Sequence, residues 1–227
     1  LFIGSEGTLG IVVEVTLRLT DPPPGQQVMV LALPRMQALM QVFSSLRGSL
    51  RLSAFEFFTD RAMGHVLANG AQRPFASEAP FYALAEFDAD ETAALASFGA
   101  LSEAGLVLDG VISQSLAQAA QLWKLREGIT ESIARYRPYK NDISVRVSKV
   151  PAFLDEMEVL FAREYPRFEV VWFGHIGDGN LHISILRPEG MDGAAFDAEC
   201  GRVTSLLCEV LKSHGGSISA EHGIGLL

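Results

Sequence analysis

The stretch FEVVWFGHIGDGNLHISIL, residues 168–186, leaves this chain the least freedom. Two apolar runs flank Asp178 and Gly179, a dipeptide that favours the tight turn of a β-hairpin. With the turn centred between them, Gly177 pairs with Asn180, Ile176 with Leu181 and His175 with His182. Directly opposite residues on antiparallel strands share a face, with Cβ atoms about 4.5–5.5 Å apart. Two imidazoles so placed can converge on one metal ion, or they can be an ordinary polar pair beside a glycine-rich turn. The chain holds only five histidines, and clustered histidine and carboxylate mark metal sites.

The hairpin sits in a longer alternation. QVMVLALP reads as a strand, and Met36, Leu39, Met40, Phe43 and Leu46 then recur at helical spacing over 35–47. LSAFEFF follows as a strand, with Phe55 and Phe57 alternating against Glu56. Thr59 or Asp60 can cap a short helix ending near Asn69. FYALAEF is a strand, 89–104 a helix and LVLDGVIS a strand. A long helical run over 115–136 leads to YKNDISVRV as a strand, and Pro151 suits the first turn of the next helix. After the hairpin, 194–213 is an amphipathic helix and GSISA a closing strand. The second half thus reads β-α-β-β-α-β, the ferredoxin-like order. The expected fold class is α+β: two ferredoxin-like units sharing an antiparallel sheet flanked by helices.

Residues 1–19 stand apart, as a glycine turn, GSEGTLG, followed by an alternating strand, IVVEVTLRL. TDPPPG, residues 20–25, can be neither helix nor central strand and reads as a linker. The chain opens without Met on an apolar run and stops just past a glycine-rich charged stretch, so it is expected to be a piece of a longer protein.

The net charge of −9 argues against nucleic acid or an anionic membrane as partner. Cys200 and Cys208 read as buried thiols on a helix, which fits a reducing, cytoplasmic compartment, peripheral to an inner membrane at most. No apolar run approaches the ~20 residues of a membrane-spanning helix.

Three places gather polar residues suited to chemistry. The hairpin offers His175, His182 and Asn180; SAEHGIG offers Glu221 and His222; LWKLREGITES with YKNDIS offers Arg126, Thr130 and Lys140. Two histidines and a glutamate form a three-ligand set with an open position for water or substrate. Glu221 is the natural third ligand, since the closing strand of a ferredoxin-like unit lies near the hairpin. An extended chain turns His222 the other way, toward a substrate; the bland alternative is a solvated Glu-His pair. Arg126 and Thr130 are one helical turn apart and so face the same way. A guanidinium beside a metal fits a carboxylate-bearing substrate, although surface charge is the commoner role for an arginine. The glycines of residues 4–10 could cradle a phosphate through backbone amides, at no specific motif spacing.

Taken together, FIGSEGTLGIVVEVTLRL, LWKLREGI, KNDISV, FGHIGDGNLHISI and GGSISAEHGIG resemble the FAD-linked oxidase family of D-2-hydroxyacid dehydrogenases. That family includes D-lactate and D-2-hydroxyglutarate dehydrogenases and the flavin subunit of glycolate oxidase. The resemblance implies that residues 1–20 are the tail of an FAD-binding domain and 21–227 a substrate domain truncated at its end. It places Ser5, Glu6, Gly7, Thr8 and Gly10 at the FAD. It assigns a divalent metal, zinc or manganese, to His175, His182 and Glu221, and the catalytic base to His222. Arg126, Thr130 and Lys140 would hold substrate carboxylates, with Asn180 close by. The expected reaction is oxidation of a D-2-hydroxy acid to the 2-keto acid. Electrons would pass on to a quinone, a cytochrome or an electron-transfer flavoprotein. The alternatives are a flavin-independent metal hydrolase and a non-catalytic assembly module. Without its FAD domain the chain is expected to hold no FAD, to be inactive alone, and to expose an apolar patch that a second copy, a homodimer partner, could cover.

Overall fold

The computed structural model describes residues 2, 5, 7–21 and 24–221. Among them, seven strands form one sheet: β1 (Gln26–Leu33), β2 (Leu52–Thr59), β3 (Phe81–Asp88), β4 (Asp109–Ile112), β5 (Tyr139–Ser144), β6 (Glu169–Gly174) and β7 (Asn180–Leu186). Their spatial order is β4-β1-β3-β2-β6-β7-β5, and every neighbouring pair is antiparallel. The order β4-β1-β3-β2 is one ferredoxin-like unit, and β6-β7-β5 repeats three of its four strands. The halves meet edge to edge through Phe57 opposite Gly174 and Phe58 opposite Phe173. The expected α+β architecture of two units sharing a sheet is the one observed.

The helices are α1 (Met36–Ser49), α2 (Asp60–Ala68), α3 (Glu91–Glu103), α4 (Leu116–Glu127), α5 (Ile129–Ile133), α6 (Val150–Glu164) and α7 (Gly193–His214). Short polar side chains start three of them: Asp90, Ser115 and Asp192 accept from Ala93, Gln118 and Ala195 N–H, satisfying donors that an α-helix leaves open. Thr59 precedes α2 without a capping bond, and Asp60 instead accepts from the Tyr82 hydroxyl.

Strand alternation sorts the core into two layers. On β1, Met29, Leu31 and Leu33 join the larger cluster with α1, α3, α6 and α7, while Val28, Val30 and Ala32 join the smaller one with α2, α4 and α5. A central strand buried on both faces must be apolar where it is buried, as β1 is from Val28 to Leu33. On the face of α2, α4 and α5, Phe173 and Leu186 stay buried, but His182 on β7 and Asp142 on β5 are only partly covered. That thinly covered part of the sheet carries the site.

Four local expectations are corrected. Residues 11–19 form no strand and are exposed, Ile11 at 89% and Val13 at 91%. A strand needs a partner for its backbone groups, and none among the described residues pairs with this segment. The closing strand shrinks to a single bridge between Ser144 and Ser217. Beyond it the Ser217 hydroxyl donates to the Ser219 carbonyl and accepts from the Ser219 N–H, local bonds that compete with a ladder. The helical run over 115–136 is interrupted at Gly128, leaving Arg126 buried at the end of α4 and Thr130 exposed on α5. Their one-turn spacing therefore does not give them a common environment.

The hairpin is the fourth. Its ladder sets Phe173 opposite His182 and Trp172 opposite Ile183, two residues away from the expected register. His175 lies in a five-residue loop, 175–179, not across from His182. Three interactions enforce the longer loop. The His175 carbonyl accepts from both Asp178 and Asn180 N–H, a compact turn of its own. Gly177 N–H donates to the Phe55 carbonyl. Gly179, at φ +84°, accepts from Val145 N–H. A Cβ at Gly179 would stand 2.0 Å from the Val145 carbonyl oxygen, so the position needs glycine twice over, for its left-handed φ and for its space.

Candidate functional site

Although the hairpin register differs, the two histidines still meet. Their ring centroids are 5.3 Å apart at 82°. Glu221 completes the group, its Oε1 standing 3.0 Å from His175 Nε2. Ligand atoms of His175, His182 and Glu221 all lie within 4.8 Å of one another. The bridge at Ser217 brings the end of the chain over β5, where Glu221 N–H donates to Asp142 Oδ2 at 3.0 Å.

Each imidazole is backed by a carboxylate. His175 Nδ1 is 2.8 Å from Glu56 Oε1, and His182 Nδ1 is 3.2 Å from Asp142 Oδ1, its direct neighbour across the β5–β7 ladder. Glu56 is within hydrogen-bond distance of His175 Nδ1, while Asp142 Oδ1 faces His182 Nδ1 as a close contact without an aligned hydrogen bond; a carboxylate at Nδ1 is the usual support of a metal-ligating histidine. Burial, reinforced by the nearby Arg126 cation and opposed by Asp142, holds His182 down to about 4. It is therefore a neutral imidazole at neutral pH, the form that binds a cation. The donor set of two imidazoles and a carboxylate fits a divalent ion and leaves coordination positions open.

Glu56 is the hub on the other side. It is 4% exposed, on β2, and faces Arg126, itself 7% exposed, with Oε2 2.9 Å from Nε. The contact is an ion pair rather than an aligned hydrogen bond, and Arg126 Nη2 has no hydrogen-bond partner among the described residues. The guanidinium lies 4.8 Å over the Phe173 ring, which in turn packs 5.0 Å from His182. Burial pushes Arg126 below its ordinary value while Glu56 pulls it back up; it stays a cation. The Asn180 side-chain Oδ1 is likewise buried with no hydrogen-bond partner among the described residues. Lys140 is exposed on β5, two residues from Asp142 on the same face and opposite Ser184.

A cleft of about 1050 Å³ opens beside the cluster, lined among others by Phe55, Glu56, His175, Asp178 and Glu221. Neither His182 nor Arg126 reaches its wall. The early glycine turn takes no part in it: Gly7, Thr8 and Gly10 are exposed and Ser5 is partly covered, and the Thr8 hydroxyl and N–H both donate to the Ser5 carbonyl. Glu6 and His222 lie outside the described residues.

Sequence reasoning missed Glu56 and Asp142, the two carboxylates that orient the histidines. One signal was available for Glu56, a lone charge among the phenylalanines of AFEFF, where a buried strand has no reason to place it unless it is paired. Asp142 shares strand parity with Lys140, but nothing local sets it opposite His182.

Fold and cluster define a class: an α+β domain of paired ferredoxin-like units carrying a His-His-Glu constellation backed by two carboxylates, the buried Glu56 and the partly covered Asp142. The chain belongs to the family described as FAD linked oxidases, C-terminal domain, whose model matches residues 22–227. It is 64% identical over its whole length to a D-2-hydroxyglutarate dehydrogenase of Xanthomonas citri pv. viticola and 52% identical to one of Stutzerimonas stutzeri, covering 49% and 50% of those proteins. The chain thus spans about half the length of the curated relatives it matches. Among solved structures, an alkyldihydroxyacetonephosphate synthase shares the fold over 95% of this chain and 44% of its own, with a TM-score of 0.61 at 13% identity. A 4-ethylphenol oxidase from Gulosibacter chungangensis does so over 89% of this chain and 46% of its own, with a TM-score of 0.58 at 10% identity.

Proposed function

We propose that this chain is the substrate domain of an FAD-dependent dehydrogenase that oxidises a D-2-hydroxy acid, foremost D-2-hydroxyglutarate, to the 2-keto acid. One observation carries the reading: His175, His182 and Glu221 converge within 4.8 Å, each histidine backed by a carboxylate, beside the buried Arg126. The names of the relatives at 64% and 52% identity support the substrate. On this reading residues 1–20 belong with a preceding FAD-binding domain, and the exposed apolar residues of 11–19 pair there.

When bound, a divalent ion at His175, His182 and Glu221 would acidify the substrate hydroxyl, and FAD would supply the hydride acceptor. The protein's own groups do the rest. Arg126, with Nη2 free of any partner among the described residues, offers a fork for a carboxylate. Lys140, on the same face, offers a second cation for the distal carboxylate of a dicarboxylate substrate. Glu56 and Asp142 fix the imidazoles, and the buried Asn180 amide adds a polar contact. His222, next to Glu221, is the proposed base for the hydroxyl proton. Thr130 is proposed as a substrate contact made from the exposed face of α5.

The test uses the full-length flavoprotein containing this domain. The flavin absorbance is expected to bleach anaerobically with D-2-hydroxyglutarate faster than with D-lactate or glycolate. Elemental mass spectrometry is expected to find about one divalent ion per chain, lost in His182→Ala. No bleaching with any 2-hydroxy acid would overturn the activity; metal retained at wild-type level in His182→Ala would overturn the ligand set.

A further inference from the structure

At the far end of β6 and β7 from the histidines lies a second cavity, of about 650 Å³. From His182 to Leu186 along β7 is four residues, about 13 Å at the rise of a strand. Three arginines from three separate connections line it: Arg135 before β5, Arg167 before β6 and Arg187 after β7. The chain carries 18 Lys and Arg against 27 Asp and Glu, so a local excess of guanidinium runs against its overall charge. Among the described residues, neither Arg167 nor Arg187 has a carboxylate partner. Arg135 is held by Tyr136, with its guanidinium 4.8 Å over the ring, a contact that orders the side chain. Two glutamates also line the cavity, Glu169 and Glu189, but Glu169 is already engaged by His65 Nε2 at 2.7 Å.

We infer that this cavity is a binding site for a small polyanion bearing two or more carboxylate or phosphate groups, separate from the histidine cluster. Its volume falls within the ~300–1,000 Å³ of small-molecule sites. Guanidiniums from three connections, none of them ion-paired among the described residues, match bidentate oxyanion groups in a way that single surface charges do not. Such a ligand would tie together the segments that enter β5 and β6 and leave β7, the three strands that carry Asp142, Phe173 and His182.

Isothermal titration of the 227-residue chain with inorganic pyrophosphate, and separately with citrate, tests this. Saturable one-to-one binding is expected with at least one probe. It should weaken by about tenfold or more in Arg167→Ala and in Arg187→Ala, while Arg163→Ala, which removes an exposed arginine already paired with Glu164, and His182→Ala leave it unchanged. Arg187→Lys is expected to retain part of the affinity, separating loss of charge from loss of fold. Absence of saturable binding, binding insensitive to both cleft substitutions, or binding lost in His182→Ala would each overturn the inference.

Discussion

Replacing Glu56 with Gln is expected to cost this chain about 3 kcal/mol of stability. Glu56 is 4% exposed and touches two cationic or proton-donating groups, Arg126 at 2.9 Å and His175 at 2.8 Å. Gln preserves the volume, so no cavity contributes. What changes is charge: Arg126, 7% exposed, is left as a buried cation without its counter-ion. Removing one partner of a buried pair costs about 3–5 kcal/mol, and retention of a neutral amide contact places the value at the low end. For a chain of this size that is a fall of about 6–12 °C in Tm. Urea denaturation followed by far-ultraviolet circular dichroism measures it, with an unchanged m-value as the sign that only stability moved. The double variant Glu56→Gln/Arg126→Met should be less destabilised than the sum of the single changes by about 1 kcal/mol or more. A single-variant change within about 0.5 kcal/mol of wild type would show that Arg126 reaches water or another partner, and the hub role of Glu56 would be wrong. Metal affinity should fall by about 10-fold, the low end of the range for a lost orienting group, in the same variant, since a neutral amide orients and polarises His175 less than the carboxylate does.

Gly179→Ala is expected to destabilise by about 3 kcal/mol, because a Cβ at φ +84° would lie 2.0 Å from the Val145 carbonyl oxygen; urea melts check this, and a change below about 1 kcal/mol would mean that the loop relaxes freely. Cys200 is fully buried and burial pushes its thiol up to about 12 from an ordinary 9.0. The unfolded chain loses this proton above about pH 9 while the folded chain keeps it, so stability should fall as pH rises from 9 toward 12, and Cys200→Ala should flatten that slope. With Cys200 at 0% exposure, a thiol reagent should label Cys208 alone in the native chain, read by peptide mass spectrometry. The 227 residues should purify without stoichiometric FAD, since Gly7, Thr8 and Gly10 are exposed and Ser5 is only partly covered; a bound flavin spectrum would refute this.

The readable parts of the site were those encoded by local chemistry. His175, His182 and Glu221 stand out because imidazole and carboxylate beside glycines are unusual, and their convergence needed only that the hairpin and the chain end be neighbours. The register of that hairpin was not readable. Asp-Gly argues for a two-residue turn, but Gly177 N–H bonds to the Phe55 carbonyl and the Gly179 carbonyl accepts from Val145 N–H. Bonds from β2 and from the segment after β5 decide the loop, and both partners lie more than 30 residues away in sequence. Glu56 and Asp142 escaped for the same reason: a carboxylate becomes an orienting group only when a distant strand places it against an imidazole.

By itself, the sequence determined the alternation of strands and helices, through period-2 and period-3.6 apolar spacing. With that came the α+β class and the choice of His175, His182 and Glu221 as residues that the fold then brings together. Only the tertiary structure decided which of these elements persist and what each polar residue faces. Residues 11–19 alternate like a strand but stay unpaired, while the closing segment keeps one bridge, because backbone hydrogen bonds need a second chain segment that periodicity cannot supply. Arg126 is a buried partner of Glu56 while Thr130, one turn on, is exposed. Burial and partnership are properties of packed neighbours, and those neighbours come from the order β4-β1-β3-β2-β6-β7-β5 in which the two halves meet.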